Sequence, residues 1–286
     1  MLKSFFKRGF SLFFFWLPDK AYCYLVFWAK FRRFPNVSNP GTLAEAMYWY
    51  KLHGGLQRFP DYVDKIEVRN FISRTIGQEY LNDIIEVYDD AESIKLDALP
   101  DRFVLKLNNG SGSNFIVTDK SKVRESEIRA MAREWLRSDY YRLTREPQYQ
   151  AVRNRVFAEK FLDDGVRASL LDYKVYCFYG SVKMIQVISD RDQGVLRQAY
   201  YDSEWNRLEI SRVGFPGGAD VERPRKLDEM VGLAQALSKP FRFVRVDFYI
   251  VKDRIFFGEL TFLPANGNLA FAPAQFDAEL AHLMMA

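Results

Sequence analysis

The segment Phe243-Val244-Arg245-Val246-Asp247-Phe248-Tyr249-Ile250 leads through Lys252-Asp253-Arg254 into Ile255-Phe256-Phe257-Gly258-Glu259-Leu260-Thr261. Two runs of β-branched and aromatic residues flank a polar turn, the pattern of a β-hairpin. With the turn centred on Asp253, Asp247 lies directly opposite Glu259, and opposed residues have β-carbons about 5 Å apart. The period of two puts Arg245, Asp247, Glu259 and Thr261 on one face. Val244, Val246, Phe248 and Leu260 then line the other face, which is apolar and must be buried. Two like charges opposed on a sheet repel unless something compensates them. A divalent cation would do so, with Arg245 nearby to meet an anionic substrate or phosphate. A solvated face on which Arg245 bridges the acids would do so as well.

Working outward, Asp172-Tyr173-Lys174-Val175-Tyr176-Cys177-Phe178-Tyr179 turns at Gly180-Ser181 into Val182-Lys183-Met184-Ile185-Gln186-Val187. A two-residue Gly-Ser turn favours a type II′ hairpin. Lys174 points the same way as Tyr176 and Phe178, where it either meets an anion or snorkels from a sheet edge. Further upstream, Phe103-Val104-Leu105-Lys106-Leu107 is strand-like and runs into Asn108-Asn109-Gly110-Ser111-Gly112-Ser113. Such a loop offers backbone N–H groups free of side-chain obstruction, able to surround phosphate oxygens. It is not a Walker A loop, because no Gly-Lys-Ser/Thr follows and the next element is a strand. Lys106 falls on the face opposite Phe103, Leu105 and Leu107, close to that loop. Arg155 to Leu162 reads as a strand running into a bend at Asp163-Asp164-Gly165, a candidate hinge.

The remainder supports an α+β architecture with antiparallel sheets. Residues 36–100 read as helical, with Thr42 as N-cap and Glu45 three residues on, and a second helix near Lys65 to Thr75 ended by Gly77. Helices are also expected near Glu125 to Arg137, Arg225 to Leu237 and Ala274 to Met285. The 286 residues suffice for a substantial core, and the formal net charge of +4 is too mild to argue for nucleic acid as a partner. Cys23 and Cys177 stand far apart in apolar surroundings, which fits a reducing, cytoplasmic compartment rather than a disulfide framework. Only His53 and His282 occur, so any metal should sit on oxygen ligands, as Mg²⁺ does. The amino end is basic and aromatic: Lys3, Lys7 and Arg8 precede the run Phe10 to Leu17, and Tyr22 to Phe31 closes on Arg32-Arg33. The run is too short to span a bilayer and lacks a small-x-small cleavage site. It reads either as an interfacial segment on an anionic membrane surface or as a greasy helix packed on its own domain.

The order of these segments resembles the ATP-grasp superfamily and, more narrowly, the TupA-like ATP-grasp proteins associated with teichuronopeptide and capsular polysaccharide synthesis. The matching segments are Leu99 to Lys106, Gly110-Ser111-Gly112, Asp172-Tyr173-Lys174, Asp190-Arg191, Phe243 to Asp247 and Gly258 to Phe262, with Asn39-Pro40 to Lys51 fitting the family's front region. The resemblance implies two α+β lobes whose antiparallel sheets grip ATP, preceded by a helical region. Residues 1–35 would form the membrane-proximal segment, 36–98 the helical region, 99–160 the lobe with the Gly-rich loop and 161–286 the lobe with the metal site. Lys106 and Lys174 would hold the ATP phosphates beneath the loop Gly110, Ser111, Gly112 and Ser113. Glu159, Lys160, Phe161 and Leu162 would seat adenine, with Asp164 toward the ribose. Asp247 and Glu259 would ligate Mg²⁺, and Arg245, with Lys174, would serve the chemistry at the acyl phosphate. Thr261 stands where many ATP-grasp enzymes carry a metal-binding Asn, and Asn109 where TupA-like sequences often have His. The implied activity is ATP-dependent joining of a carboxylate to an amine on a glycan or uronic acid, peripheral to the inner membrane surface. A glycan kinase and a non-catalytic assembly protein are the alternatives.

Overall fold

A computed structural model describes residues 16–165, 170–189 and 196–286. The expectations placed on Lys3, Lys7, Arg8, the run from Phe10 and Asp190-Arg191 lie outside the described residues. The chain forms two compact units. One comprises the described part of Met1–Leu56 together with Arg142–Pro147 and Asp164–Ala286; the other is Gln57–Tyr141 with Gln148–Asp163. The chain passes from one to the other between Asp163 and Asp164.

The unit of residues 57–141 and 148–163 is built on a four-stranded antiparallel sheet in the order β1-β4-β2-β3. Its strands are β1 (Ile84–Tyr88), β2 (Phe103–Leu107), β3 (Asn114–Val117) and β4 (Val156–Lys160). β1 departs from expectation, since it lies inside the stretch read as helical. Ile84-Ile85-Glu86-Val87-Tyr88 is a β-branched run too short for a helix, and it pairs with β4 as an edge strand, Tyr88 opposite Val156. Phe103 and Leu105 from β2, Val117 from β3, and Val156 and Ala158 from β4 share a core with Ile128 and Ala132. Those two residues, four apart on the helix Glu125–Leu136, form its buried stripe.

The other unit carries a five-stranded antiparallel sheet, order β10-β9-β5-β6-β7. These strands are β5 (Asp172–Phe178), β6 (Ser181–Ser189), β7 (Arg197–Tyr201), β9 (Phe243–Val251) and β10 (Arg254–Thr261), with β8 (Ser211–Arg212) pairing β11 (Phe271–Ala272) separately. The helix Leu227–Ser238 covers one face. Its Leu227, Met230, Ala234 and Leu237 are buried at helical spacing, and Cys177 Sγ on β5 approaches Ala234 O at 3.9 Å. Both cysteines are buried and free, as expected.

Two turns differ from their sequence reading. In the β5–β6 hairpin Phe178 pairs with Ser181, so the central residues are Tyr179 and Gly180, both at positive φ. That is the type I′ condition rather than II′. In the β9–β10 hairpin Val251 pairs with Arg254, which leaves Lys252 and Asp253, also at positive φ, as the turn. This two-residue turn alone would set Asp247 opposite Gly258. A β-bulge between Phe257 and Glu259 shifts the register by one, and Asp247 pairs with Glu259 after all. A Cβ on Gly258 would sit 3.0 Å from Asp247 O and 3.3 Å from the Tyr249 ring, so the close strand approach at the bulge accounts for the glycine.

The aromatic stretch Tyr22 to Phe31 falls in the helix Asp19–Phe31, whose Cys23 and Phe27 pack with Val37, Ala44 and Tyr48. Phe27 meets Tyr48 edge-on at 4.9 Å, whereas Trp28 remains exposed. Among the described residues no helix is long and apolar enough to cross a membrane. Thr42 caps the helix Leu43–His53 as expected, accepting from Glu45 N at 3.4 Å. Glu45 is itself buried and accepts from Asn36 N, Gly41 N and the Arg33 guanidinium.

Candidate functional site

The registers of the five-stranded sheet line up Glu259, Asp247, Lys174, Gln186 and Tyr200 in one row across β10, β9, β5, β6 and β7. The next row holds Thr261, Arg245 and Tyr176. Residues two apart on a strand share a face, so all eight lie on the side away from the helix Leu227–Ser238. On the helix side Val244, Val246 and Phe248 are fully buried, as the alternation requires. The polar face is also dry near its centre, where Asp247 is 2% exposed and Lys174 8%.

Asp247 is the hub. Arg245 Nε donates to its Oδ1 at 2.6 Å and Arg245 Nη2 to its Oδ2 at 2.7 Å. Lys174 Nζ also donates to Asp247 Oδ2, and it reaches Asp172 Oδ2 at 2.8 Å. Arg245 Nη2 extends to Thr261 Oγ1 at 3.1 Å and to Glu259 Oε1 at 3.5 Å, and Thr261 Oγ1 donates to Glu259 Oε1 at 3.3 Å. Burial by itself would raise the Asp247 pKa, but Arg245 and Lys174 outweigh it and hold the carboxyl below its ordinary value. Burial would likewise lower Arg245, and Asp247 reverses it, so the guanidinium is raised and stays charged. Arg245 therefore bridges the two acids, one of the two alternatives read from the sequence, with Lys174 adding the second positive charge. The face that carries them is buried rather than solvated at Asp247.

A hard cation remains compatible with this set. A carboxylate has about four lone-pair directions, and Asp247 uses three of them on Arg245 and Lys174. Glu259 is less engaged, its side chain 32% exposed. Mg²⁺ is commonly held by one or two carboxylates, with waters and substrate phosphates completing its shell. No cluster of three or more metal-ligating side chains occurs among the described residues.

In the unit of residues 57–141 and 148–163, Lys106 forms an ion pair with Glu159 across the β2–β4 ladder. Two of the predicted nucleotide residues are thus together. Farther along, Lys160 pairs with Asp83 at 2.6 Å, and the Arg102 guanidinium lies 4.3 Å over the Phe161 ring while reaching Asp163 at 2.8 Å. Leu162 and Asp164 are half-buried. The Gly-rich loop is anchored at its start. Asn108 Nδ2 donates to Asp64 Oδ2 at 2.7 Å, Asn108 Oδ1 accepts from Arg155 N at 2.8 Å, and the Gly110 carbonyl accepts from Lys65 Nζ. Gly110 (φ 75°) and Gly112 (φ 86°) are left-handed, and a Cβ at Gly110 would lie 2.4 Å from the Tyr140 ring. Only the tip, Ser111 and Gly112, is exposed, with Ser113 half-buried.

Several site residues escaped the sequence reading. Asp172 stands in the Asp172-Tyr173-Lys174 segment, but nothing local signals its ion pair with Lys174 at 2.8 Å. Gln186, Gln198 and Tyr200 form a buried relay: Gln186 Nε2 and Tyr200 OH both donate to Gln198 Oε1, at 2.8 and 2.7 Å, and Tyr176 OH donates to Gln186 Oε1 at 2.9 Å. A usable signal existed in Met184-Ile185-Gln186-Val187-Ile188, where one amide interrupts an apolar strand opposite Lys174.

The TupA-like ATPgrasp family model matches residues 45–285, and the chain belongs to that family. Among solved structures, D-alanine–D-alanine ligase from Bacillus anthracis is 20% identical over 78% of this chain and 66% of its own, with a TM-score of 0.47. N5-carboxyaminoimidazole ribonucleotide synthetase, solved as an ADP complex, is 14% identical over 76% of this chain and 50% of its own, with a TM-score of 0.45. The ATP-grasp ligase PsnB, complexed with a minimal precursor, is 13% identical over 78% and 60%, with a TM-score of 0.40. The chain thus spans from half to just under two thirds of the length of these solved proteins. No curated protein sequence matches it.

Proposed function

We propose that this chain is an ATP-dependent carboxylate–amine ligase that forms an amide through an acyl phosphate. The observation that carries the reading is the row Glu259–Asp247–Lys174, buried at Asp247 and Lys174, with Arg245 beside it. A carboxylate is a poor acyl donor because its leaving group would be oxide. Phosphorylation at the carboxylate oxygen supplies a good leaving group, and an amine then displaces phosphate. Such chemistry asks for fixed cations at developing negative charge and for positioning, not for a nucleophilic side chain.

The residues suit those tasks. Asp247 and Glu259 would hold Mg²⁺, which when bound neutralises phosphate charge. Lys174, held between Asp247 and Asp172, would meet a phosphoryl oxygen. Arg245 is held in one orientation by Asp247, Glu259 and Thr261, and its remaining N–H groups would engage the acyl phosphate. Lys106, with the loop from Gly110 to Ser113, would contact phosphates, and Glu159 to Leu162 the base, with Asp164 toward the ribose. The acid is a uronic acid of a surface polysaccharide or its precursor and the amine an amino acid or related amine; the family's association supports this choice. The exposed Trp16, Trp28 and Phe34 beside basic residues support peripheral attachment to the inner membrane surface.

The test is ADP release from Mg·ATP with panels of uronic acids and amines, combined with mass spectrometry of the product. Release that requires both partners, with a product one water lighter than their sum, is expected. A phosphosugar formed without amine would replace the ligase by a kinase.

A further inference from the structure

We infer that Arg212 is an oxyanion-binding residue that engages a carboxylate or phosphate of the organic substrate, separate from the phosphates of the nucleotide. β8 carries it beside β11, with Arg212 opposite Phe271, and Val213 N donating to Ala270 O at 2.9 Å. Phe271 packs edge-on against Tyr200 at 5.6 Å and against Tyr176 at 6.4 Å. Both tyrosines belong to the polar rows that contain Lys174, Arg245 and Asp247. This two-stranded flap therefore brings Arg212 to the polar face, within electrostatic reach of Tyr176, Tyr200 and Arg245.

Arg212 differs from every other cation described on that face. Arg245 is engaged by Asp247, Glu259 and Thr261, and Lys174 by Asp247 and Asp172. Arg212 is half-buried, yet among the described residues its guanidinium makes no hydrogen bond and no ion pair. The guanidinium stacks on the Phe215 ring, 4.2 Å away. Burial lowers its pKa against the opposing pull of Tyr176 and Tyr200, and the like charge of Arg245 adds a smaller push in the same direction as burial. A guanidinium partly removed from water beside a second cation is unfavourable unless an anion completes it. Stacking on Phe215 fixes the plane and leaves the fork of N–H donors free, the arrangement that suits bidentate carboxylate or phosphate recognition. Assigning that anion to the substrate rests on the ligase reading; the anion site itself does not.

The full chain is labelled with ¹⁵N-arginine, and the Nε–H resonance of Arg212 is assigned by its loss in Arg212→Lys. Sodium acetate and inorganic phosphate are titrated at constant ionic strength, with and without saturating Mg·AMPPNP. A saturable shift confined to Arg212 that persists with the nucleotide bound is expected. Response to acetate marks the anion as a carboxylate, and response to phosphate alone marks it as a phosphoryl group. In parallel, the same anion should raise the melting temperature of the wild type but not of Arg212→Gln. No saturable shift, an equal shift at all arginines, or a shift abolished by Mg·AMPPNP would overturn the inference. Because binding rather than turnover is read, a failed ligase assay beside a positive titration would count against the proposed reaction and not against the site.

Discussion

Replacing Asp247 by Asn changes one oxygen to an amide nitrogen and almost nothing in shape. Asp247 accepts two hydrogen bonds from Arg245, at 2.6 and 2.7 Å, and one from Lys174. An asparagine retains a single acceptor oxygen, and its NH₂ group faces either Arg245 Nε, in place of Oδ1, or both Arg245 Nη2 and Lys174 Nζ, in place of Oδ2, donor against donor. At 2% exposure there is no water to take up the difference. Removing one partner of a buried ion pair costs about 3–5 kcal/mol, because the remaining charges are left uncompensated. Relief of repulsion from Glu259 offsets little of this, since Arg245 Nη2 already lies within 3.5 Å of Glu259 Oε1. At about 2–4 °C per kcal/mol the thermal transition should fall by roughly 6–20 °C. Urea unfolding followed by the fluorescence of the protein's tryptophans measures the loss in free energy, and differential scanning calorimetry the midpoint. A loss below about 1 kcal/mol, in the range of an exposed pair, would refute the buried hub.

Gly258→Val should cost about 1–3 kcal/mol, because its Cβ would press on Asp247 O at 3.0 Å. If the strand instead sheds its bulge, Glu259 turns to the opposite face and Mg²⁺-dependent nucleotide binding should fall; calorimetric titration with Mg·AMPPNP distinguishes the two, and an unchanged midpoint with unchanged binding would contradict the bulge. Burial works to raise Glu45, but hydrogen bonds from Arg33, Asn36, Gly41 and Thr42 prevail, so its folded pKa lies below the unfolded value. That stabilisation is fully present above the unfolded pKa of about 4.3 and is lost as pH falls through the folded value. Glu45→Gln should therefore be less stable than wild type by about 1–3 kcal/mol at pH 7, with the gap closing toward pH 3. A gap independent of pH in urea titrations would assign the loss to packing.

The β9–β10 hairpin shows what local pattern determines. A period of two sorted Arg245, Asp247, Glu259 and Thr261 from Val244, Val246, Phe248 and Leu260, because adjacent side chains on a strand must point to opposite sides. The helix Ala274–Met285 and the capped helix Leu43–His53 were legible for the same reason, their signals lying within a few residues. The Asp247–Glu259 pairing was also readable, although the route to it was not: a tighter turn than expected is compensated by a bulge at Gly258. Tertiary structure decided the rest. Lys174 meets Asp247 across 73 residues of chain because β5 pairs with β9, and no periodicity specifies which strands become neighbours. β1 follows its own β-branched composition, but only the open edge of β4 decided which strand it would pair with. Arg212 looks in the sequence like any surface arginine. Only the packing of β11 against Tyr176 and Tyr200 carries it to a buried polar face, where the charge-to-charge contacts that matter join residues far apart in the chain.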